Sequence, residues 1–295
     1  MRRSEEGFLL LTSHLGDPAR KVLTTAQFRE LTARMRLFPH SAEERELEEE
    51  DLVAIGYDRT MAKRILNLLA QEEQLRWYLR RGRDCVPVTR VSDAYPDLLR
   101  KRLGAEAPGC LWAKGDLALL DRPAVALVGS RELRLENAVF ARKVGQAAAE
   151  QGYVLVSGNA VGADQTAQDA CLQAGGCVIS VVADRLDDKK TRPNVLYLSE
   201  DGYDQPFSAQ RALSRNRVIH CLGQRTFVAQ CDLGKGGTWD GTVKNLRHNR
   251  SPVFCYADGS EAVRELAQMG AAVVDCDGLK ALDRLQSHTM NFIDE

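Results

Sequence analysis

Three short glycine-rich segments contain the residue types that could bind an anion. In Gly129-Ser130-Arg131, a glycine permits a tight turn, a serine supplies a hydroxyl and an arginine supplies a planar cationic fork. The second segment spans residues 157–164, and the third is Gly234-Lys235-Gly236-Gly237-Thr238. Backbone N–H groups in such segments, helped by hydroxyls and cations, are typical phosphate ligands. The three segments therefore predict anion binding, most naturally of phosphate.

Apolar runs precede all three segments and must position them. The runs are residues 124–128, 153–156 and 225–229, and helical stretches follow at 137–151, 164–174 and 239–248. Strands separated by helices of this length indicate βαβ units and a buried parallel sheet. Further strands are expected at 177–182, 252–255 and 272–274, with a helix at 260–268. Because carboxyl ends of parallel strands meet at one edge of a sheet, the three segments should form one anion-binding rim.

The first 80 residues have a different pattern. Apolar residues recur there at helical spacings, and strand-like alternation is absent. A chain of 295 residues is long enough for about two domains. We therefore predict an all-helical N-terminal domain over 1–82 and an α/β domain over 83–295, Rossmann-like and doubly wound with a mostly parallel sheet. Residues 184–206 have the least regular pattern and are expected to form a mobile loop.

Charge is segregated along the chain. The formal net charge is −1, from 40 basic and 41 acidic residues, which excludes a strongly basic protein. Residues 207–250 nevertheless carry eight bases and two acids, whereas residues 43–51 carry seven acids and one base. The acidic run is expected to face solvent at the start of a helix, where carboxylates are favourable.

Motifs of several enzyme classes are missing. Neither the Walker A spacing nor the Gly-x-Gly-x-x-Gly fingerprint occurs, which argues against an NTPase and an ordinary dehydrogenase. No Gly-x-Ser-x-Gly elbow occurs, and we expect Asp164 to cap a helix rather than to act as a base. The eight cysteines form no CxxC pair, so we expect buried thiols, no metal and no cofactor. The sequence favours a binding protein over an enzyme, and the lack of a long apolar run predicts a cytoplasmic one without membrane contact.

An ordered set of motifs resembles the DprA/Smf family of DNA-processing proteins. The set comprises Tyr95-Pro96-Asp97-Leu98-Leu99, Leu111-Trp112-Ala113-Lys114-Gly115-Asp116, Val128-Gly129-Ser130-Arg131, Ser157-Gly158-x-Ala160-x-Gly162-x-Asp164, Ser199-Glu200 with Phe207, and Arg215-Asn216-Arg217-Val218-Ile219. The similarity covers roughly residues 90–280.

The resemblance implies an extended Rossmann fold that binds single-stranded DNA and helps to load a RecA-type recombinase during transformation. Arg131 would contact backbone phosphates, and Arg211, Arg215, Arg217 and Lys244 would extend a basic pocket. The full set of predicted phosphate or DNA contacts is Gly129, Ser130, Arg131, Ser157, Gly158, Asn159, Gly162, Asp164, Arg211, Arg215, Asn216, Arg217, Lys235, Gly236, Gly237, Thr238 and Lys244.

Departures from the family pattern keep an alternative open. Gln168 stands where the family usually has histidine, and Gly236-Gly237-Thr238 is similar to the phosphate loop of the lysine-decarboxylase-like (LOG) proteins. A nucleotide or nucleotide-derived ligand, bound or hydrolysed in such a pocket, is therefore the second hypothesis. Trp239 could stack on a base under either hypothesis or simply pack against the protein. A second copy of the chain and a protein partner for the N-terminal helices are further candidate partners.

Overall fold

The computed structural model describes residues 1–37 and 46–287. Its N-terminal part is helical, as predicted. The helices are α1 (Arg3–Thr12), α2 (Thr25–Arg36), α3 (Glu49–Ala54), α4 (Arg59–Leu69) and α5 (Glu72–Arg81). Thr24 and Asp58 cap α2 and α4 by accepting hydrogen bonds from backbone N–H groups of the first turn. Ala62, Ile65 and Leu68 form the buried face of α4.

Acidic residues occupy the first turn of α3, as predicted, but the expectation that they face solvent is wrong for Asp51, which is buried. Glu49 and Glu50 stand at the helix start together with Asp51, where the helix dipole favours negative charge. Only part of the acidic run can be compared in this way, because residues 43–45 lie outside the described residues.

One mixed sheet with the order β1-β2-β6-β5-β4-β3-β7-β8-β9 dominates the rest of the described chain. Its strands are β1 (Val86–Thr89), β2 (Cys110–Lys114), β3 (Ala124–Val128), β4 (Val154–Ser157), β5 (Cys177–Val181), β6 (Val195–Ser199), β7 (Thr226–Val228), β8 (Val253–Tyr256) and β9 (Ala272–Val274). All pairings except β1 with β2 and β2 with β6 are parallel. This is the predicted α/β, mostly parallel and doubly wound fold.

Helices cover both faces of the sheet. They are α6 (Asp97–Leu103), α7 (Leu135–Glu150), α8 (Ala163–Gln173), α9 (Ala209–Leu222), α10 (Gly236–Arg247) and α11 (Glu261–Gln268). Val125 and Leu127 face a core shared with α7 and α8, whereas Ala126 and Val128 face a core shared with α9 and α10. All five residues of β3 are buried, as expected for a central parallel strand.

The N-terminal helices pack directly on the sheet region. Tyr78 of α5 stacks on Tyr203 at 4.4 Å between ring centroids and meets Trp112 of β2 edge-on at 5.4 Å. Tyr203 donates a hydrogen bond to the carbonyl of Tyr78, and Tyr78 donates one to Asp204. The division into domains 1–82 and 83–295 stays a prediction.

The expected mobile loop over 184–206 is wrong for its second half. Val195–Ser199 forms β6, which pairs with β5 on one side and β2 on the other. Its five residues are buried, and Tyr203 beyond it is fully buried as well. The apolar run Val195-Leu196-Tyr197-Leu198 forms this strand. It was not predicted because charged residues dominate the preceding part of the segment.

Strands β3 and β7 lie side by side at the topological switch point. The chain proceeds from β3 toward β4 on one side and from β7 toward β8 on the other, so the loops after β3 and β7 diverge. In open α/β sheets such a crevice at the carboxyl ends is the usual ligand site. The first and third glycine-rich segments are therefore placed at its mouth.

Within the described ranges, no helix combines the length and hydrophobicity needed to cross a bilayer. No group of His, Cys, Asp or Glu residues in that part of the chain is arranged to hold a metal ion.

Candidate functional site

A cavity of about 600 Å³ opens at the switch point, and we call it the switch-point cavity. It is bounded by the loops after β3 and β7, by the start of α8 and by one side of α9. Ten of the predicted site residues line it: Gly129, Ser130, Arg131, Asp164, Arg215, Asn216, Lys235, Gly236, Gly237 and Thr238. The structure thus brings most of the first and third segments together, as the strand pattern predicts.

The first and second segments interlock rather than both facing the cavity. The N–H of Ala163 donates to the carbonyl of Ser130 at 3.1 Å, so one N-terminal donor of α8 is already used. A Cβ on Gly129 would lie 2.4 Å from the Cβ of Ala163, and one on Gly162 would lie 2.2 Å from the carbonyl oxygen of Arg131. Gly162 also has φ +92°, a conformation that favours glycine. Gly129 and Gly162 therefore serve close packing of two loops, and Gly162 does not line the cavity.

A buried ion pair forms the floor of the cavity. Arg215 is 8% exposed and Asp164 6%, with Nη2 of the arginine 3.8 Å from Oδ2 of the aspartate. Burial raises the pKa of the Asp164 carboxyl, and the neighbouring guanidinium opposes that rise. Nε and Nη1 of Arg215 have no hydrogen-bond partner among the described residues. Both nitrogens are buried, so the guanidinium brings positive charge to the floor of the cavity without presenting these two donors to it.

Three residues of the second segment lie outside the cavity lining. A Cβ on Gly158 would lie 1.5 Å from Nη1 of Arg215, so the glycine makes room for the guanidinium. Ser157 is fully buried at the end of β4, and Asn159 has a left-handed φ of +62°. Ser157, Gly158 and Asn159 do not line the cavity, although we predicted them as contacts.

The predicted capping role of Asp164 is wrong. Helix α8 begins at Ala163 with Gly162 as its N-cap, so Asp164 lies inside the first turn. Its Oδ2 accepts a hydrogen bond from the N–H of Ala160 at 3.2 Å, which holds the preceding loop. A carboxylate is also favourable in a first helical turn.

Unpaired positive groups gather at the mouth of the cavity. Arg131 and Lys235 are exposed, and within the described ranges neither side chain has a hydrogen-bond or ion-pair partner. Helix α10 begins beside them, and no side chain caps its N-terminus. Asn216 donates from Nδ2 to the carbonyl of Gly237 at 2.9 Å and so orients that first turn. Cations and free helical N–H groups together favour a phosphate at this point.

The charge of the lining is balanced rather than uniformly positive. Glu132, Asp164 and Asp232 oppose Arg131, Arg215 and Lys235. Asp164 is paired with Arg215 in the floor, whereas Glu132 and Asp232 are exposed at the rim. Anion attraction must therefore come from the local arrangement of Arg131, Lys235 and the α10 terminus.

Two arginines that were predicted to contact DNA bind other groups of the protein instead. Arg211 donates to the carbonyls of Ala183, Gln205 and Pro206 at 2.8–2.9 Å and pairs with Asp201. Arg217 pairs with Glu200 and donates to the carbonyl of Glu106. Neither lines the switch-point cavity, because a half-buried guanidinium takes the carbonyls that surround it.

Lys244 and Arg217 line a second cavity of about 470 Å³ instead. This cavity shares Leu213 and Gly237 with the switch-point cavity, so the two are neighbours. His220 is 1% exposed in its wall, with Nδ1 3.3 Å from Oγ1 of Thr226. Burial lowers the pKa of His220 to about 3, which keeps the imidazole neutral.

The buried histidine should make folding stability depend on pH. The pKa of His220 is about 3 in the folded chain instead of the usual 6.5, so between these two pH values the unfolded chain takes up a proton that the folded chain does not. Between pH 7 and pH 5 we expect His220 to contribute a loss of about 2 kcal/mol in unfolding free energy. Denaturant unfolding of the parent and of His220→Gln at both values isolates this share. An equal pH dependence in the two proteins would contradict the assignment.

Phe207 is a site residue that sequence reasoning missed. Its ring is 57% exposed and lines the switch-point cavity beside Leu213, which is 51% exposed. The only sequence signal was its place in the motif order, after Pro206 at the start of the basic segment. Trp239, the aromatic residue singled out from the sequence, instead packs against the core and lines neither cavity.

The sheet order and the helices on both of its faces define an α/β protein of the Rossmann-like class. A family model described as DNA recombination-mediator protein A matches residues 87–278. The chain belongs to this family, which confirms the resemblance noted in the sequence.

Relatives of known sequence agree with this membership. The chain is 34% identical over 199 residues to DNA processing protein DprA of Streptococcus pneumoniae, covering 62% of this chain and 69% of that protein. It is 27% identical over 219 residues to protein Smf of Escherichia coli, covering 69% of this chain and 57% of Smf.

Solved structures show the same fold. The X-ray structure of DprA from S. pneumoniae superposes with a TM-score of 0.70 at 27% identity, over 90% of this chain and 95% of that one. A structure concerned with the single-stranded DNA binding mode of DNA processing protein A from Helicobacter pylori superposes with a TM-score of 0.55 at 25% identity. That match covers 66% of this chain and 94% of the H. pylori chain.

Proposed function

We propose that this chain is a DNA-processing protein that binds single-stranded DNA in the switch-point cavity. The observation that carries the proposal is the grouping of unpartnered Arg131 and Lys235, the uncapped start of α10 and the exposed ring of Phe207 around one cavity. A backbone phosphate would take the cations and the helical N–H groups, and a base would stack on the ring. The family membership and the H. pylori relative support the same ligand.

The buried pair in the floor would serve this binding in two ways. Asp164 offsets part of the desolvation cost of Arg215 and so helps the guanidinium to stay buried without a ligand. The Arg215 guanidinium then adds a positive charge beneath a phosphate that binds in the cavity.

We propose further that the bound strand is passed to a RecA-type recombinase. The support is the resemblance seen in the sequence together with the family description of a recombination mediator. A protein that binds a DNA strand mainly through its phosphates leaves most bases free for a second protein.

Fluorescence anisotropy with a labelled single strand of ~20 nucleotides tests the proposal. Arg131→Ala should weaken binding about tenfold and reduce the slope of log affinity against log salt by about 0.7, the value of one phosphate contact to a single strand. Arg131→Lys should keep most of the affinity, because a phosphate accepts either cation.

Arg142→Ala is the matched control, since Arg142 is exposed on α7 and lines none of the cavities described here. Unchanged affinity and slope in Arg131→Ala would contradict the proposal. Displacement of the strand by equimolar mononucleotide would favour the nucleotide ligand instead.

A further inference from the structure

A cavity of about 880 Å³ lies between helix α2 and the sheet region, and we call it the α2 cleft. Five arginines and two acids line it: Arg29, Arg36, Arg90, Arg100, Arg211, Glu200 and Asp201. Both acids are already paired, Glu200 with Arg217 and Asp201 with Arg211. The cleft is therefore more positive than the switch-point cavity.

Helix α2 supplies the unpaired part of this charge. Arg29, Thr32, Ala33 and Arg36 follow the i, i+3, i+4, i+7 spacing of one helical face, and all four line the cleft. Arg29 and Arg36 are exposed, and among residues 1–37 and 46–287 neither has a hydrogen-bond or ion-pair partner. Seven residues of helix separate them by about 10 Å along the axis.

Packing of the neighbouring face of α2, which includes the cleft-lining Phe28, explains the direction of these arginines. Leu31 is buried in the apolar core of the N-terminal helices, with Phe28 and Met35 packed beside it. Phe28 meets Phe8 of α1 edge-on at 4.8 Å between ring centroids. With one face fixed by this packing, the remaining face presents two cations with no structural use.

The far wall of the cleft offers further cations. Arg90 donates to the carbonyls of Ala107 and Gly104, so its charge is held in place by backbone rather than neutralised by an acid. Arg100 pairs with Asp97, which is largely exposed. Arginines thus line the cleft both from α2 and from the wall beside the sheet.

Only a short segment separates the α2 cleft from the switch-point cavity. Gln205 and Arg211 line the cleft, and Phe207 lines the switch-point cavity. Arg211 holds this segment by donating to the carbonyls of Gln205 and Pro206. The two residues from Gln205 to Phe207 span at most about 7 Å, so one ligand chain can cross from one cavity to the other.

We infer that the α2 cleft binds the continuation of a single nucleic-acid strand whose first part lies in the switch-point cavity. This inference rests on the proposed function and adds a role for the N-terminal helices. Arg29 and Arg36 would each contact a backbone phosphate. The strand would pass along the segment from Gln205 to Phe207, which separates the two cavities. Phosphate contacts of this kind carry affinity without sequence preference.

Strand length separates this inference from the proposed function. A short strand of ~6 nucleotides can fill one cavity, whereas one of ~20 nucleotides can reach both. Arg29→Ala with Arg36→Ala should weaken the longer strand about tenfold, lower its salt slope by about 1.4 and leave the shorter strand unchanged. Arg131→Ala should weaken both strands.

Two further variants make the result specific. Arg29→Lys with Arg36→Lys keeps the charge and should retain the longer strand's affinity. Arg142→Ala with Lys143→Ala removes the same charge from α7, outside every cavity described here, and should change neither strand.

Anisotropy at several salt concentrations gives one of three outcomes. A loss of affinity of the α2 double variant that is confined to the longer strand supports the inference. Unchanged affinity and slope for that strand in the α2 double variant overturns it while the proposed function stands. Failure of the unaltered chain to bind either strand overturns both.

Discussion

Replacing Asp164 by alanine should lower the free energy of unfolding by about 3–5 kcal/mol, because it leaves a buried guanidinium without its counter-charge. Arg215 is 8% exposed, and no other carboxylate in the described chain lies within ion-pair distance of it. The change also frees the N–H of Ala160, which Asp164 now satisfies. Chemical denaturation monitored by circular dichroism measures the loss, which is a large part of the 5–15 kcal/mol typical of a folded domain.

A second variant tests the cause of this loss. Asp164→Leu combined with Arg215→Met removes both charges, so it should be more stable than Asp164→Ala alone. If the double variant is no more stable than the single one, the pair is not the source of the effect. Because Arg215 also faces the cavity, the double variant should still bind a single strand more weakly than the unaltered chain does.

Phe207→Ala should weaken binding of a single strand by about 5- to 150-fold, which corresponds to the ~1–3 kcal/mol typical of one base stacked on an aromatic ring. The ring is 57% exposed in the unliganded chain, so its loss should change folding stability little. Phe207→Tyr keeps the stacking face and should retain the affinity. Anisotropy with the longer strand measures all three proteins.

Trp77→Ala provides the matched control for this substitution. Trp77 is a comparably exposed aromatic residue, at 50%, but it lies on α5 and lines none of the described cavities. Its removal should leave the affinity unchanged. Equal affinities for Phe207→Ala and Trp77→Ala would contradict a stacking role for Phe207.

The core of the fold could be predicted from the sequence because it is built from local patterns. Strands β3 and β4 are short apolar runs followed by glycine and then by a helix, and β5 is a short run rich in β-branched residues. The predicted bounds of all three lie within about two residues of the observed ones. Strands β1 and β2 were not predicted, because β1 has only four residues and contains Pro87, and β2 is a five-residue run that ends in a lysine. Strand β6 was hidden because the charged residues before it dominate the composition of the segment.

The site could be predicted only in part, for a different reason. The segments Gly129–Arg131 and Lys235–Thr238 follow neighbouring strands, so strand order alone brings them together. Whether a given arginine is free depends on partners far away in the chain. Arg217 meets Glu106 across 111 residues, whereas Arg131 meets no partner among the described residues. The sequence shows both residues simply as arginines, and only the tertiary contacts reveal which of them has a partner.

In the unliganded chain, backbone hydrogen bonds hold the loop that carries Arg131 to two neighbouring segments. Ser130 donates from its backbone N–H to the carbonyl of Gln230 at 2.9 Å, and its own carbonyl accepts from Ala163 at 3.1 Å. Little backbone freedom remains to be lost on association, so the ordering cost of a complex falls on the flexible strand. The encounter should then proceed in a single kinetic phase, with no slow rearrangement of the protein, and its rate should be set by diffusion and by salt.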